Sequence, residues 1–220
     1  MEQRLYTSRD MVRVQNPNCE GCGACCRDMG DSIVLDPYDV CMLTHHLGRS
    51  FSEMNGNEIG LHVDRGMILP HLNMKKIEST GSNDADSVLA CSFLNEDGRC
   101  SIHAFRPGLC RLFPLGRDYD GTGFRYFVVE DACPKPGKSK VRVEQWLGVT
   151  DLKQYEAFIS SWHYFVRQVQ ETLAAIEDPE YQQRLNLFFL QVFYATPYSP
   201  AEDFYHLFEM RLEQARSVLS

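Results

Sequence analysis

Four cysteines stand within one run, Cys19-Glu20-Gly21-Cys22-Gly23-Ala24-Cys25-Cys26, and no other stretch constrains the chain so strongly. Two-residue gaps let a tight loop turn successive thiolates toward one point. Glycine at 21 and 23 removes the Cβ clash that such a turn creates. A metal lowers the pKa of the thiols it binds and so offsets their deprotonation. Three thiols at this spacing, with a fourth far along the chain, form a ferredoxin-type pattern for holding a cluster. The same residues are compatible with four-cysteine zinc. Cysteines buried only for packing are not normally bunched in this way.

All nine cysteines lie between Cys19 and Cys133, so residues 134–220 must be stabilised by packing alone. The first thirty residues contain no apolar core of a secretory signal. An odd count without such a signal fits a reducing, cytoplasmic setting, where thiols ligate metals or do redox chemistry. The distal group is Cys91, Cys100, Cys110 and Cys133. Its gaps are individually uninformative, but four local and four distal thiols suit two tetrahedral centres, or one cluster plus reactive thiols. Cys133-Pro134 matches the Cys-Pro that closes ferredoxin ligand runs. Two adjacent thiols, Cys25 and Cys26, rarely serve one small ion comfortably. The reading therefore favours iron–sulfur, in the form of a 4Fe–4S cluster, with zinc as the alternative. Cys41, beside the apolar positions of a predicted helix, reads as a plain buried thiol.

Charge and composition exclude other classes. A net charge of −8 argues against nucleic acid or an anionic membrane as partner. No run approaches the ~20 apolar residues of a membrane span. A brief strand is expected at 31–35. A helix is expected over 37–47, capped by Asp36 and stopped at Gly48. Met67 to Leu69 is a possible strand, and residues 78–87 read as a loop. Residues 91–94 and 99–102 are predicted to form a hairpin about the turn 95–98, which brings Cys91 and Cys100 together. A strand is expected over 124–130 and a linker over 134–140. Three helices follow: one capped by Thr150 and ended at Asp178-Pro179, one over 180–195, and one opened by a capping box at Ser199 to Glu202. Tyr181, Leu185, Phe188, Phe189, Val192 and Phe193 are assigned inward on the second, and Phe204, Leu207, Phe208, Met210 and Leu212 on the third. The fold expected is α+β: a small irregular cysteine-cluster domain over 1–140, with a helical segment over 141–220 packed on it.

Weaker candidates are His45, His46 and His103, which read first as ordinary surface or core histidines. Arg106 and Arg111 flank Cys110 and either offset thiolate charge or pair with carboxylates. Lys135, Lys138 and Lys140 read as a solvated stretch. The aromatic stripes of the tail read as core.

On the Cys19–Cys26 run, Cys91-Ser-Phe-Leu, Cys100-Ser-Ile-His, Arg106-Pro-Gly-Leu-Cys110-Arg111, Phe113-Pro114 and Cys133, the sequence resembles the YkgJ-like cysteine-cluster family, described as zinc- or iron-chelating. The resemblance spans roughly residues 17–136. His103 stands where the family usually has tyrosine, and the family does not require the helical tail. The same domain is similar to part of flagellin lysine N-methylases, and some relatives are labelled iron–sulfur oxidoreductases. The resemblance implies metal binding, and only loosely a redox or transferase role with a protein substrate or redox partner. The competing class is a structural zinc protein whose helical segment binds another protein. The sequence names no reaction and no acid–base pair.

Overall fold

The computed structural model describes residues 3–15, 22–77 and 88–219. Among them the elements run β1 (Met11–Gln15), a 3-10 turn (Ala24–Cys26), α1 (Pro37–Leu47), α2 (Phe51–Met54), β2 (Ile59–Asp64), β3 (Met67–Leu72), β4 (Met74–Ile77), β5 (Val88–Cys91), a second 3-10 turn (His103–Phe105), α3 (Gly108–Leu112), β6 (Leu115–Tyr119), β7 (Phe124–Val128), β8 (Ser139–Arg142), α4 (Val143–Leu147), α5 (Leu152–Ala175), α6 (Pro179–Leu190), a π turn (Gln191–Ala195) and α7 (Phe204–Ser217). The described strands pair as antiparallel couples: β1 with β8, β2 with β3, β4 with β5, and β6 with β7. The fold is α+β with a helical C-terminal segment. Two compact units interleave along the chain, residues 1–30 with 74–160, and residues 31–73 with 161–220. No described helix is long and apolar enough to cross a membrane.

In the first unit, β1 alternates along Met-Val-Arg-Val-Gln and buries only Val12 and Val14. They join Leu112, Leu115, Tyr126, Val141, Val143 and Leu147 in one core. Each fully buried valine or leucine contributes about 1.5–3 kcal/mol. Tyr126 exchanges backbone hydrogen bonds with Tyr6, at 2.7 and 2.8 Å, and donates its hydroxyl to Glu156 at 2.9 Å. Ser139 and Lys140, read above as linker, are strand residues. Val141 faces Val12 across the ladder, and burial of that pair draws the segment into a sheet. The expected loop at 78–87 lies outside the described residues.

In the second unit, α1 has the boundaries its sequence dictates. Asp36 accepts from the Asp39 N–H at 2.9 Å, Asp39 accepts from the Asp36 N–H at 3.2 Å, and Gly48 closes the helix at φ 63°. The expected strand at 31–35 is only an edge contact. Leu35 N–H donates to Pro70 at 2.8 Å and Leu72 N–H to Ile33 at 3.0 Å, about one bridge between Val34 and His71, before Asp36 turns the chain into the helix. β2 and β3 form a hairpin about Arg65 and Gly66, at φ 47° and 85°, the paired positive values of a type I′ turn. Buried Asn186 holds that turn. Its Oδ1 accepts from Ile68 N–H at 2.7 Å, and its Nδ2 donates to Gly66 at 2.9 Å. Beyond α6, Arg211 donates to the carbonyls of Val192 in the π turn and of Thr196 and Pro197 just after it, at 2.8–2.9 Å.

The first and third of the C-terminal helices begin later than their sequence signals. Asp151, not Thr150, caps α5 by accepting from Gln154 N–H at 3.1 Å. That helix ends at Ala175, and Asp178 instead caps α6. Asp203, not Ser199, caps α7, accepting from His206 N–H at 2.9 Å. A carboxylate cap also meets the positive end of the helix. Ser199 takes the Ala201 N–H in the preceding turn. Tyr181 and Met210, assigned inward, are exposed. Tyr181 lies in the first turn of α6 under Arg184. Met210 sits about 200° around α7 from buried Phe208 and Leu212.

Candidate metal centre

The first unit brings the cysteine run against the distal cysteines through its backbone. Gly23 opens the 3-10 turn at φ 61°, and Cys26 N–H donates back to Gly23 at 3.0 Å. A Cβ at Gly23 would stand 3.1 Å from the Gly98 carbonyl and 3.4 Å from the Leu94 side chain. The turn therefore lies directly on the 94–98 segment. Arg27 bridges Ala90, and Asp28 N–H donates to Leu89 at 2.8 Å, which sets the segment after Cys26 along the edge of β5.

The expected hairpin over 91–102 is not formed as a pair of strands. β5 ends at Cys91, and its partner is β4, with Met74 opposite Cys91. The chain then turns, with Leu94 N–H donating to Cys91 at 2.9 Å. Asn95 closes the next loop by accepting from Arg99 N–H on its side chain at 2.7 Å, with Gly98 at φ 72°. A single bridge between Leu94 and Cys100 completes it. The side-chain bond of Asn95 and the left-handed Gly98 tighten the loop, so no long ladder follows. The turn expected at 95–98 is present, with Gly98 left-handed as its position requires, whereas the packing of Gly23 on Leu94 has no local sequence signal.

Four thiols act on one another here: Cys25, Cys26, Cys91 and Cys100. Cys26 donates to the Cys25 sulfur. That bond, with the Arg106 guanidinium helping, holds the Cys25 thiol down at about 6. Cys26 is raised in turn by the same bond, by burial, and by the neighbouring sulfurs. Burial raises Cys91 and Cys100, which Arg106 partly offsets at Cys100. Cys25 is exposed, Cys26 and Cys100 are half-buried, and Cys91 is buried. The donor set fits a thiophilic metal: four sulfurs, one of them a thiolate at neutral pH, beside a cation that offsets accumulated negative charge.

The remaining sequence candidates divide. Cys19 lies outside the described residues. Cys22 precedes Gly23, Cys110 lies in α3, and Cys133 follows β7, each half-buried and outside any disulfide. Among the described residues, no three Cys, His, Asp or Glu side chains stand in ready-made metal geometry. Arg106 donates to the His103 carbonyl at 2.8 Å and faces the His103 ring. Arg111 donates to the Leu147 and Arg106 carbonyls at 3.3 and 3.4 Å, a bracing role that sequence did not assign. Cys41 is buried on α1 in the second unit, its thiol raised to about 11 by burial. Its sulfur lies 3.8 Å from His45 Nδ1, while His45 Nε2 donates to the Tyr198 carbonyl at 2.8 Å.

No curated protein and no solved structure matches the chain. A family model does match over residues 18–134, which contain the paired loop, the four interacting thiols and Arg106. That match covers more than half of the sequence, and the chain belongs to the CxxCxxCC family, whose description is "Putative zinc- or iron-chelating domain".

Proposed function

We propose that this metal-binding protein holds a 4Fe–4S cluster between the 19–26 run and the 91–100 segment, and uses it in a redox or transferase-type role in the cytoplasm. The observation that carries the reading is exposed Cys25 beside half-buried Cys26, with Cys91 and Cys100 acting on the same pair. An exposed sulfur suits the edge of a cluster better than a closed four-thiol zinc site. A cluster edge at exposed Cys25 is open to a protein substrate or redox partner. The full ligand set proposed is Cys19, Cys22, Cys25, Cys26, Cys91, Cys100, Cys110 and Cys133, enough for one centre with reactive thiols or for two centres. Anaerobic purification with iron and sulfide supplied should give brown protein that bleaches in air, with iron and acid-labile sulfide in equal amounts.

Zinc is the second reading, and one observation favours it: four mutually interacting thiols are the number a closed structural zinc site takes. A colourless protein holding zinc after that preparation selects it. The metal then stabilises the fold, and the helical segment is the surface for a protein partner.

A further inference from the structure

We infer that His62 and His71 in the second unit are a pH-sensitive latch, closed by one proton shared between the rings and released when each ring carries its own. The register of the hairpin brings them together. His71 stands opposite Gly60, and His62 opposite Leu69, so the histidines are diagonal neighbours on one face. Their Nδ1 atoms are 3.2 Å apart, with the rings inclined at 71°. At that separation one Nδ1 carries the proton and the other supplies the lone pair. A second proton removes the acceptor, and two N–H groups with two positive charges then face each other. The rings cannot keep this arrangement once both are imidazolium.

His71 also stands where three chain segments join. Its backbone faces Gly60 of β2 on one side and bridges Val34 on the other. The two bonds that flank the bridge, Leu35 N–H to Pro70 and Leu72 N–H to Ile33, tie the 33–35 edge to β3 just ahead of α1. Gly60 lets the ring lie over the joint: a Cβ there would approach His71 Cε1 to 2.7 Å. When the ring leaves, water reaches the backbone bonds beneath it. Both histidines are half-exposed, so solvent protons reach them. Burial and the neighbouring His62 hold the His71 ring below the ordinary histidine value, and the Asp31 carboxylate pulls the other way. The charged groups acting on the ring thus come from β2, as His62, and from the segment ahead of the 33–35 edge, as Asp31. A folded value below the unfolded one adds stability above the unfolded value, near 6.5, and that stability is lost as pH falls through the folded value. The latch is therefore closed at neutral pH and released in mild acid.

The test follows the seven histidines of the whole protein by two-bond proton–nitrogen spectra from about pH 8 to 5, with amide exchange read alongside and corrected for its intrinsic rate. His71 should take up its proton below about 6.5, and the His62 Nδ1 resonance should respond at the same pH. The Leu35 and Leu72 amides should lose protection by about tenfold for each pH unit over which the open state holds one more proton than the closed one. His62→Gln should raise the His71 midpoint and flatten that pH dependence, while exchange along the Val12–Val141 ladder of the first unit keeps its wild-type response to acid. The inference is overturned if His71 titrates at the ordinary value with His62 unmoved, or if the Leu35 and Leu72 amides keep their protection throughout. A pH dependence that persists unchanged in folded His62→Gln protein also overturns it. The wild-type measurements decide even where the variant folds poorly.

Discussion

The adjacent thiols of Cys25 and Cys26 act on each other, and that interaction lowers Cys25 while it raises Cys26. In metal-free protein this makes Cys25 the first sulfur to react. Its alkylation rate should have a midpoint near pH 6, read by mass spectrometry of timed iodoacetamide quenches. Cys26→Ala should move the midpoint up toward 9, the ordinary thiol value, and Arg106→Gln should move it by less. A folded value below the unfolded one adds stability above the unfolded pKa, and that stability is lost as pH falls through about 6.

Cys41 gives the opposite behaviour. Burial holds its thiol at about 11, so it should resist alkylation at neutral pH. The stability from the buried thiol is complete below the unfolded value near 9 and is lost as pH rises through about 11. Cys41→Ser should leave metal content unchanged, checked by elemental analysis.

Cys26, Cys91 and Cys100 should each lower metal content when changed to serine. They should also lower thermal stability, because a metal that binds only the folded state at a hundredfold excess over its Kd stabilises by about 2.7 kcal/mol. Calorimetry with and without chelator reads this. If Cys91→Ser and Cys26→Ser each retain full metal content, the two segments do not share a centre.

Gly23→Ala removes no donor but should still impair metal uptake. The left-handed conformation costs a non-glycine residue about 1–2 kcal/mol. The new Cβ also presses on the Gly98 carbonyl at 3.1 Å. Metal content after anaerobic reconstitution should fall while the number of titratable thiols stays the same.

Asn186→Ala should destabilise the protein by about 1–3 kcal/mol by leaving the Ile68 N–H and the Gly66 carbonyl unsatisfied near the hairpin turn. Iron or zinc at the thiol centre should be unaffected. Denaturant midpoints set beside metal content separate the two effects.

Local signals in the sequence were read well where one residue decides the backbone. Asp36, Pro37 and Gly48 bound α1 as their capping chemistry requires. Signals that compete with a neighbour were misplaced: Ser199 offers a capping box, but Asp203 one turn later caps better. Pairings between distant segments were illegible. Nothing local to Val12 announces Val141, and nothing in Cys91-Ser-Phe-Leu announces Met74 opposite Cys91. The bunching of thiols pointed to metal binding, in keeping with the family match. The bridge of Arg27 to Ala90, which decides which thiols meet, depends on tertiary packing.

The interleaving of the two units sets an order of events during synthesis. Cys22, Cys25 and Cys26 leave the ribosome ahead of the whole 31–73 segment, and Cys91 and Cys100 follow only after it. At about 5–20 residues per second, the early thiols wait several seconds for the platform that receives them. The 31–73 segment waits longer, since its companion, residues 161–220, is made last. A nascent chain therefore presents an uncovered dithiol and an incomplete core at the same time. Metal delivered before Cys100 emerges meets a site that cannot yet close, so productive loading belongs to the late or released chain.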